Sequence, residues 1–272
     1  MRLLTWNVNR KPAAVTRILE YLERLATVDS VMACLQEVPS SPLLSGILQG
    51  STAIVGSTLC AVPARSSEKV VMVHSADLAV QRFQVGGSGR SLVADVRTPT
   101  KSMLQVAGIH ARDRIFHGND VERGGLAASL RREIDDLVYA GVPLAVMGDF
   151  NASSVADETA LRACFYALDR AAIRERRSSL FHAHHGLHSR PLFVVQPDKG
   201  IARGTLYLDW GWRREWVTYD FAALDELLHD RVKQCAVLDA LLGESLLRPQ
   251  VGTPNKARFS DHLPVEIALD FH

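Results

Sequence analysis

The chain has 272 residues, 47% of them hydrophobic, enough to fill a large core and too many for a disordered protein. Its 31 basic and 30 acidic residues leave a formal charge of +1, which excludes a global positive field, so a nucleic acid would have to be held by a local patch. The four cysteines have no metal-type spacing and no apolar run approaches a membrane span, so reduced thiols in a cytoplasmic protein are expected.

Residues 2–8 read as a buried strand, too short and too strand-like for a signal peptide. Asn7 stands at its carboxyl end. Pro12 can open a helix, and Val15, Ile18, Leu19, Leu22 and Leu25 recur at helical spacing to about residue 26. Residues 31–38 form a second buried strand that ends in Gln36-Glu37. In open α/β sheets ligands gather at the carboxyl ends of strands, which makes Asn7 and Glu37 candidates for one cleft.

A short helix is expected over 42–48, and the texture then changes to β-rich runs at 53–55, 69–74, 79–85, 91–96 and 103–110. Pro63, the glycine-rich stretch 86–89 and Pro99 separate them, as in an antiparallel meander. No helix carrying a lysine follows residues 86–89, so they read as a hairpin or flexible turn and not a phosphate loop. Residues 119–139 carry an apolar stripe at helical spacing.

Residues 143–147 (Pro-Leu-Ala-Val-Met) are a short apolar run, expected to be a strand covered on both faces, and they lead into Gly148-Asp149-Phe150-Asn151. In extended geometry Asp149 and Asn151 point to the same side. The carboxylate can bind a metal or accept a proton from water, and the carboxamide can donate to a charged oxygen without adding charge. Such a pair suits metal-assisted hydrolysis of a phosphate ester; an Asx-turn capping a strand is the alternative for the fragment alone.

A helix is expected over about 157–168, followed by an unusual region in which five arginines between 170 and 190 surround His182, His184, His185 and His188. That cluster has three readings: a solvated loop, a phosphate-contacting rim, or a zinc site, the last weakened because no cysteine or acid lies within the run. Residues 206–212 and 216–221 read as a hairpin, 224–242 is ambiguous between helix and strand, and 265–269 is the last strand, preceded by Ser260-Asp261-His262. No linker or repeat interrupts the chain, so one domain over 1–272 is expected.

Polar residues therefore recur at or beside apolar runs: Asn7, Glu37, His110, Asp149, Asn151, Asp209, Asp261 and His262. One such residue could be a satisfied core polar group, but burying this many acids without a metal would be costly.

The ordered set Thr5-Trp6-Asn7, Leu35-Gln36-Glu37, Gly108-Ile109-His110, Gly148-Asp149-Phe150-Asn151 and Ser260-Asp261-His262-Leu263-Pro264-Val265 resembles the endonuclease/exonuclease/phosphatase superfamily with its deoxyribonuclease I-like fold. The resemblance implies an α/β (α+β type) four-layer sandwich: two packed mixed β-sheets flanked by helices, with the site at one end. It implies Glu37 as the principal Mg²⁺ ligand (Mn²⁺ substituting), with Asn7 close to the metal and Asp261 supporting the site or touching a metal. Asp149 would orient or deprotonate the attacking water, Asn151 and His262 would hold phosphate oxygens, and His110 would sit across the scissile phosphate. Asp209, in Tyr207-Leu208-Asp209-Trp210, resembles the family's penultimate motif, in which an Asp ends a strand and orients a His or the metal; here Trp210 follows it. Glu68 falls where some members carry a Glu supporting the His, and a solvent-facing charge is its other reading; Arg112, His182 and His184 are candidates to touch substrate. The expected function is Mg²⁺-dependent phosphodiester hydrolysis, as a nuclease on DNA or RNA. The alternatives are an enzyme acting on a phosphoinositide, a sphingomyelin-like lipid or a nucleotide, and a non-catalytic binding domain.

Overall fold

The computed structural model describes residues 1–39, 59–61, 69–111, 120–151, 192–195, 204–209, 211 and 214–271. The expected elements at 42–48, 53–55 and 157–168 lie outside these residues.

The chain opens with β1 (Arg2–Asn7), α1 (Pro12–Ala26) and β2 (Val31–Gln36). Proline at the head of α1 costs no hydrogen bond, because the first helical N–H groups lack partners anyway. The expected single meander is divided between two sheets: β3 (Leu59–Ala61) pairs with β4 (Val70–Ser75) in one, and β5 (Ala79–Val85) with β6 (Ser91–Arg97) in the other. A second strand–helix–strand unit follows, β7 (Met103–His110), α2 (Asp120–Asp135) and β8 (Leu144–Asp149). The later strands are β9 (Phe193–Val195), β10 (Leu206–Asp209), β11 (Arg214–Val217) and β12 (Asp220–Leu224). The ambiguous stretch resolves into a one-turn helix α3 (Glu226–His229) and strand β13 (Val232–Val237). A small hairpin, β14 (Ala240–Leu241) with β15 (Glu244–Ser245), precedes the last strand, β16 (Val265–Leu269).

Among the described residues the long strands form two six-stranded sheets, ordered β13-β16-β1-β2-β4-β3 and β5-β6-β7-β8-β12-β9. Each holds one parallel pair, β1 with β2 and β7 with β8, each joined through a helix. The other pairings are antiparallel.

Side-chain alternation sorts the layers. Leu3, Met32, Cys34, Val106, Ala145, Met147, Ala222 and Ile267 share one cluster between the sheets. Leu4, Trp6, Ala33 and Leu35 point the other way, against Val15, Ile18, Leu19 and Leu22 of α1. Ala107, Ile109, Leu144, Val146, Phe221 and Ala223 likewise meet Leu130 and Ile134 of α2. The order is helix, sheet, sheet, helix, and each fully buried aliphatic side chain in it stabilises the fold by about 2 kcal/mol. The sheets approach closely at Gly108, where an added Cβ would lie 2.7 Å from Cys34 Sγ and 2.8 Å from Val70 Cγ1.

The expected hairpin is corrected in one respect. The run 216–221 is not one strand: β11 ends at Val217, and Asp220 opens β12 in the second large sheet. The backbone N–H groups of Tyr219 and Asp220 both donate to Thr205 Oγ1, which fixes the break.

Candidate active site

Alternation and strand direction bring the polar residues together. The inward positions of β1, β7 and β8 end in Asn7, His110 and Asp149, at the edge where the core between the sheets reaches solvent. Two parallel pairs send four carboxyl ends to that edge. Antiparallel neighbours bring amino ends to the same place: Asp220 of β12 pairs with Asp149, and the segment before β16 sets His262 beside β1. Asn7, His110, Asp149 and His262, with Asn9, Glu37, Asn151, Asp209 and Asp261, line a pocket of about 540 Å³ that Leu206, Tyr207, Tyr219 and Lys256 also line, and Asp220 is joined to it through His262.

Strict alternation would turn Glu37 outward with Ala33 and Leu35. Its φ of 51° breaks the pattern and places its carboxylate in the pocket. Asn9, Arg10 and Asn151 also have positive φ (46°, 55° and 48°). For residues with side chains this backbone is uncommon and is held in place by surrounding contacts; three of the four, Asn9, Glu37 and Asn151, line the pocket, and Arg10 pairs with Glu37. Gly148 has another role: a Cβ there would lie 2.0 Å from the Ile109 carbonyl oxygen, so only glycine lets β8 approach β7 at this point.

Asp149 is 1% exposed and both its oxygens are held. Asn7 Nδ2 donates to Oδ2 and the Asn151 backbone N–H to Oδ1, each at 2.9 Å. Burial raises its proton affinity, and the neighbouring Asp220 charge raises it further, against the pull of His262, His110 and Asn7. His110 Nε2 lies 3.6 Å from Glu37 Oε1 and 3.8 Å from Asp149 Oδ2. Burial lowers its pKa, which keeps the ring neutral near pH 7, and among the described residues its buried Nδ1 has no partner. Asn151 Nδ2 donates to the Ala111 carbonyl, and Asn9 Nδ2 to Asp261 Oδ1 at 2.7 Å.

His262 is anchored from three sides. Its Nδ1–H donates to Asp220 Oδ2 at 2.7 Å, its backbone N–H donates to Ser260 Oγ, and its carbonyl accepts from Trp6 Nε1. Burial works against charging the ring, but Asp220, Asp149 and Asp261 outweigh it and push the pKa up to about 10. Among the described residues Asp149, Asp220 and His262 also offer ligand atoms within 4.8 Å of one another, a set that could hold a metal. A ring whose Nδ1 is bonded to a carboxylate and whose charge is held suits proton holding better than metal ligation.

Asp209, expected to orient a histidine or the metal, lines the same pocket, but among the described residues it has no hydrogen bond to His262. It is 40% exposed and bonds Arg214 Nε and the Gly211 N–H, on the small β10–β11 hairpin. Its carboxyl pKa is lowered, first by the Gly211 N–H and then by Arg214. The partner of His262 is Asp220, which a search of strand ends passes over because it heads a strand instead of ending one. Trp6 is core, as its apolar setting suggests. Glu68, Arg112, His182 and His184 lie outside the described residues.

The sequence pattern of the Endonuclease/Exonuclease/phosphatase family matches residues 4–262, nearly the whole chain. The chain belongs to the endonuclease/exonuclease/phosphatase family. Its fold is similar to that of an AP endonuclease from Archaeoglobus fulgidus (15% identity, TM-score 0.59, 99% of each chain covered). It is likewise similar to a 3′-5′ exonuclease from Neisseria meningitidis (14% identity, TM-score 0.59, 100% of each chain). A third likeness is the human Nocturnin catalytic domain (18% identity, TM-score 0.53, 100% of this chain and 94% of that one). A comparison with curated proteins found no match. As a member of the endonuclease/exonuclease/phosphatase family the chain is a phosphoesterase, with the fold expected from its motifs. No described helix is long and apolar enough to cross a membrane.

Proposed function

We propose that the protein is a single-domain, Mg²⁺-dependent phosphodiester hydrolase that cuts DNA or RNA, with Mn²⁺ able to substitute. The observation that carries this reading is the convergence of Asn7, Glu37, His110, Asp149, Asn151 and the Asp220–His262 pair on one pocket. The donor set fits a hard cation: carboxylate and carboxamide oxygens dominate, and the open pocket leaves room for the waters Mg²⁺ retains. Glu37 would hold the ion, with Asn7 and Asp261 beside it. Bound there, Mg²⁺ would neutralise the phosphate charge that repels an incoming nucleophile.

The remaining work falls to side chains. Asp149, held at both oxygens and with raised proton affinity, orients the attacking water and takes its proton. Asn151 uses one N–H on the Ala111 carbonyl, and its second N–H serves a phosphate oxygen. His262, charged and fixed by Asp220, donates from Nε2 to a phosphate oxygen as charge builds up. Neutral His110 faces the scissile group from the Glu37 side.

The second reading keeps this site but takes a small phosphate ester, a phosphoinositide, sphingomyelin-like lipid or nucleotide. The net charge of +1 and the concave pocket favour it. A reducing, cytoplasmic setting is part of the proposal, supported by three free cysteines among the described residues. The test is turnover of single-stranded DNA, duplex DNA, RNA and small phosphate esters, each with Mg²⁺, Mn²⁺ or chelator. Metal-dependent cleavage of a nucleic acid, with affinity falling as salt rises, is expected; turnover confined to small esters selects the second reading, and none of either refutes both.

A further inference from the structure

The turn between β5 and β6 reads in the sequence as an ordinary hairpin, yet it touches the candidate site through its backbone. The Arg90 carbonyl accepts from the His110 N–H at 2.9 Å, and the Gly89 carbonyl from Lys69 N–H at 3.1 Å. The Lys69 carbonyl in turn accepts from the Glu37 N–H. Half-buried Arg90 then reaches back, and its Nη1 donates to the His110 carbonyl at 3.1 Å and to the Ala111 carbonyl at 3.2 Å. That second carbonyl is the one that accepts from Asn151 Nδ2.

The turn itself is tied to α2. Glu133 accepts from Ser88 N–H and Ser88 Oγ at 3.0 and 2.9 Å and from Ser91 Oγ. A Cβ at Gly86 would lie 1.8 Å from Glu133 Oε1, so the glycine makes room for this latch.

We propose that Arg90 is a positioning residue: by gripping the His110 and Ala111 carbonyls it fixes the end of β7, and through it the His110 ring and the Asn151 carboxamide, with Glu133 holding the turn in place. The inference rests on the phosphoesterase reading for its kinetic effect, but its geometric part stands without it. The shared Ala111 carbonyl is the key contact: without the guanidinium, the strand end bonded to Asn151 keeps its backbone N–H bonds to Asp149 and residue 90 but loses the grip on its two carbonyls. A displacement of about 1 Å in such a group can cost on the order of 100-fold in rate.

The experiment compares wild type with Arg90→Ala, and with Glu133→Gln should the first variant fail to fold. In ¹⁵N spectra of the metal-free protein, the Asn151 side-chain amide is expected to move and broaden in Arg90→Ala while the Asn7 amide stays, and guanidinium ion is expected to restore it. On the best phosphate ester, kcat is expected to fall about tenfold or more with KM within about twofold, less so in Glu133→Gln. An unmoved Asn151 amide overturns the proposal. So does a raised KM with kcat preserved, which would place Arg90 on the substrate instead. A wild type without turnover would refute the phosphoesterase reading, while the spectra would still decide the role of Arg90.

Discussion

Asp220 stands directly opposite Asp149 across the β8–β12 ladder, so two buried carboxylates share one edge of the site with His262, with atoms of all three within 4.8 Å of one another. The pair divides the work: Asp220 fixes His262, and Asn7 and Asn151 fix Asp149.

This division separates two acids that the sequence alone would confuse. Asp220→Asn is expected to lower kcat by about 100-fold or more, since His262 loses the charge that anchors it as a donor. Asp209→Asn is expected to change kcat by less than about threefold, because its partners are Arg214 and a loop N–H. Steady-state kinetics on the same substrate decides this, and the reverse order would restore Asp209 to the orienting role.

His262 also makes stability depend on pH. Its proton affinity is higher in the folded protein than the ordinary value of 6.5, so its stabilising contribution is fully present below that value and disappears as pH rises through about 10. Each tenfold gain in proton affinity is worth about 1.4 kcal/mol, so the change amounts to a few kcal/mol. Urea unfolding of the metal-free protein between these limits is expected to show a steeper fall for wild type than for His262→Gln; parallel curves would contradict the pairing.

The contact between the sheets makes a separate prediction. Gly108→Ala puts a methyl against Cys34 Sγ and Val70 Cγ1, and the layers must part to admit it. A loss of about 1–3 kcal/mol in thermal or denaturant unfolding is expected. A neutral result would mean that the layers yield more easily than their packing indicates.

Much of the architecture is legible in the sequence. Continuous apolar runs mark β1, β2, β7 and β8 because both faces of each are covered, and the stripe after Pro12 marks α1. The ends of those runs point to Asn7, Glu37, His110 and Asp149, since direction and alternation alone carry most of them to one edge. Asp220 is hidden for physical reasons. No glycine or proline separates Trp216 from Phe221, so two strands in different sheets look like one. The break depends on Thr205 Oγ1, a tertiary contact with no local signature. Asp209, ending an apolar run, has the look of the missing acid, and only the sheet order shows that it belongs to a separate ribbon. The positive φ of Glu37 is equally unreadable, because glutamate gives no local reason for it.

The central claim is that Glu37 holds a divalent ion against which Asp149, Asn151 and His262 work on a phosphodiester. Its most direct test is the Mg²⁺ dependence of hydrolysis for wild type and Glu37→Gln on the same substrate. The variant is expected to need at least about tenfold more Mg²⁺ for its half-maximal rate, and chelator is expected to abolish wild-type turnover. Equal Mg²⁺ requirements in the two proteins, or wild-type turnover that survives chelation, would contradict it.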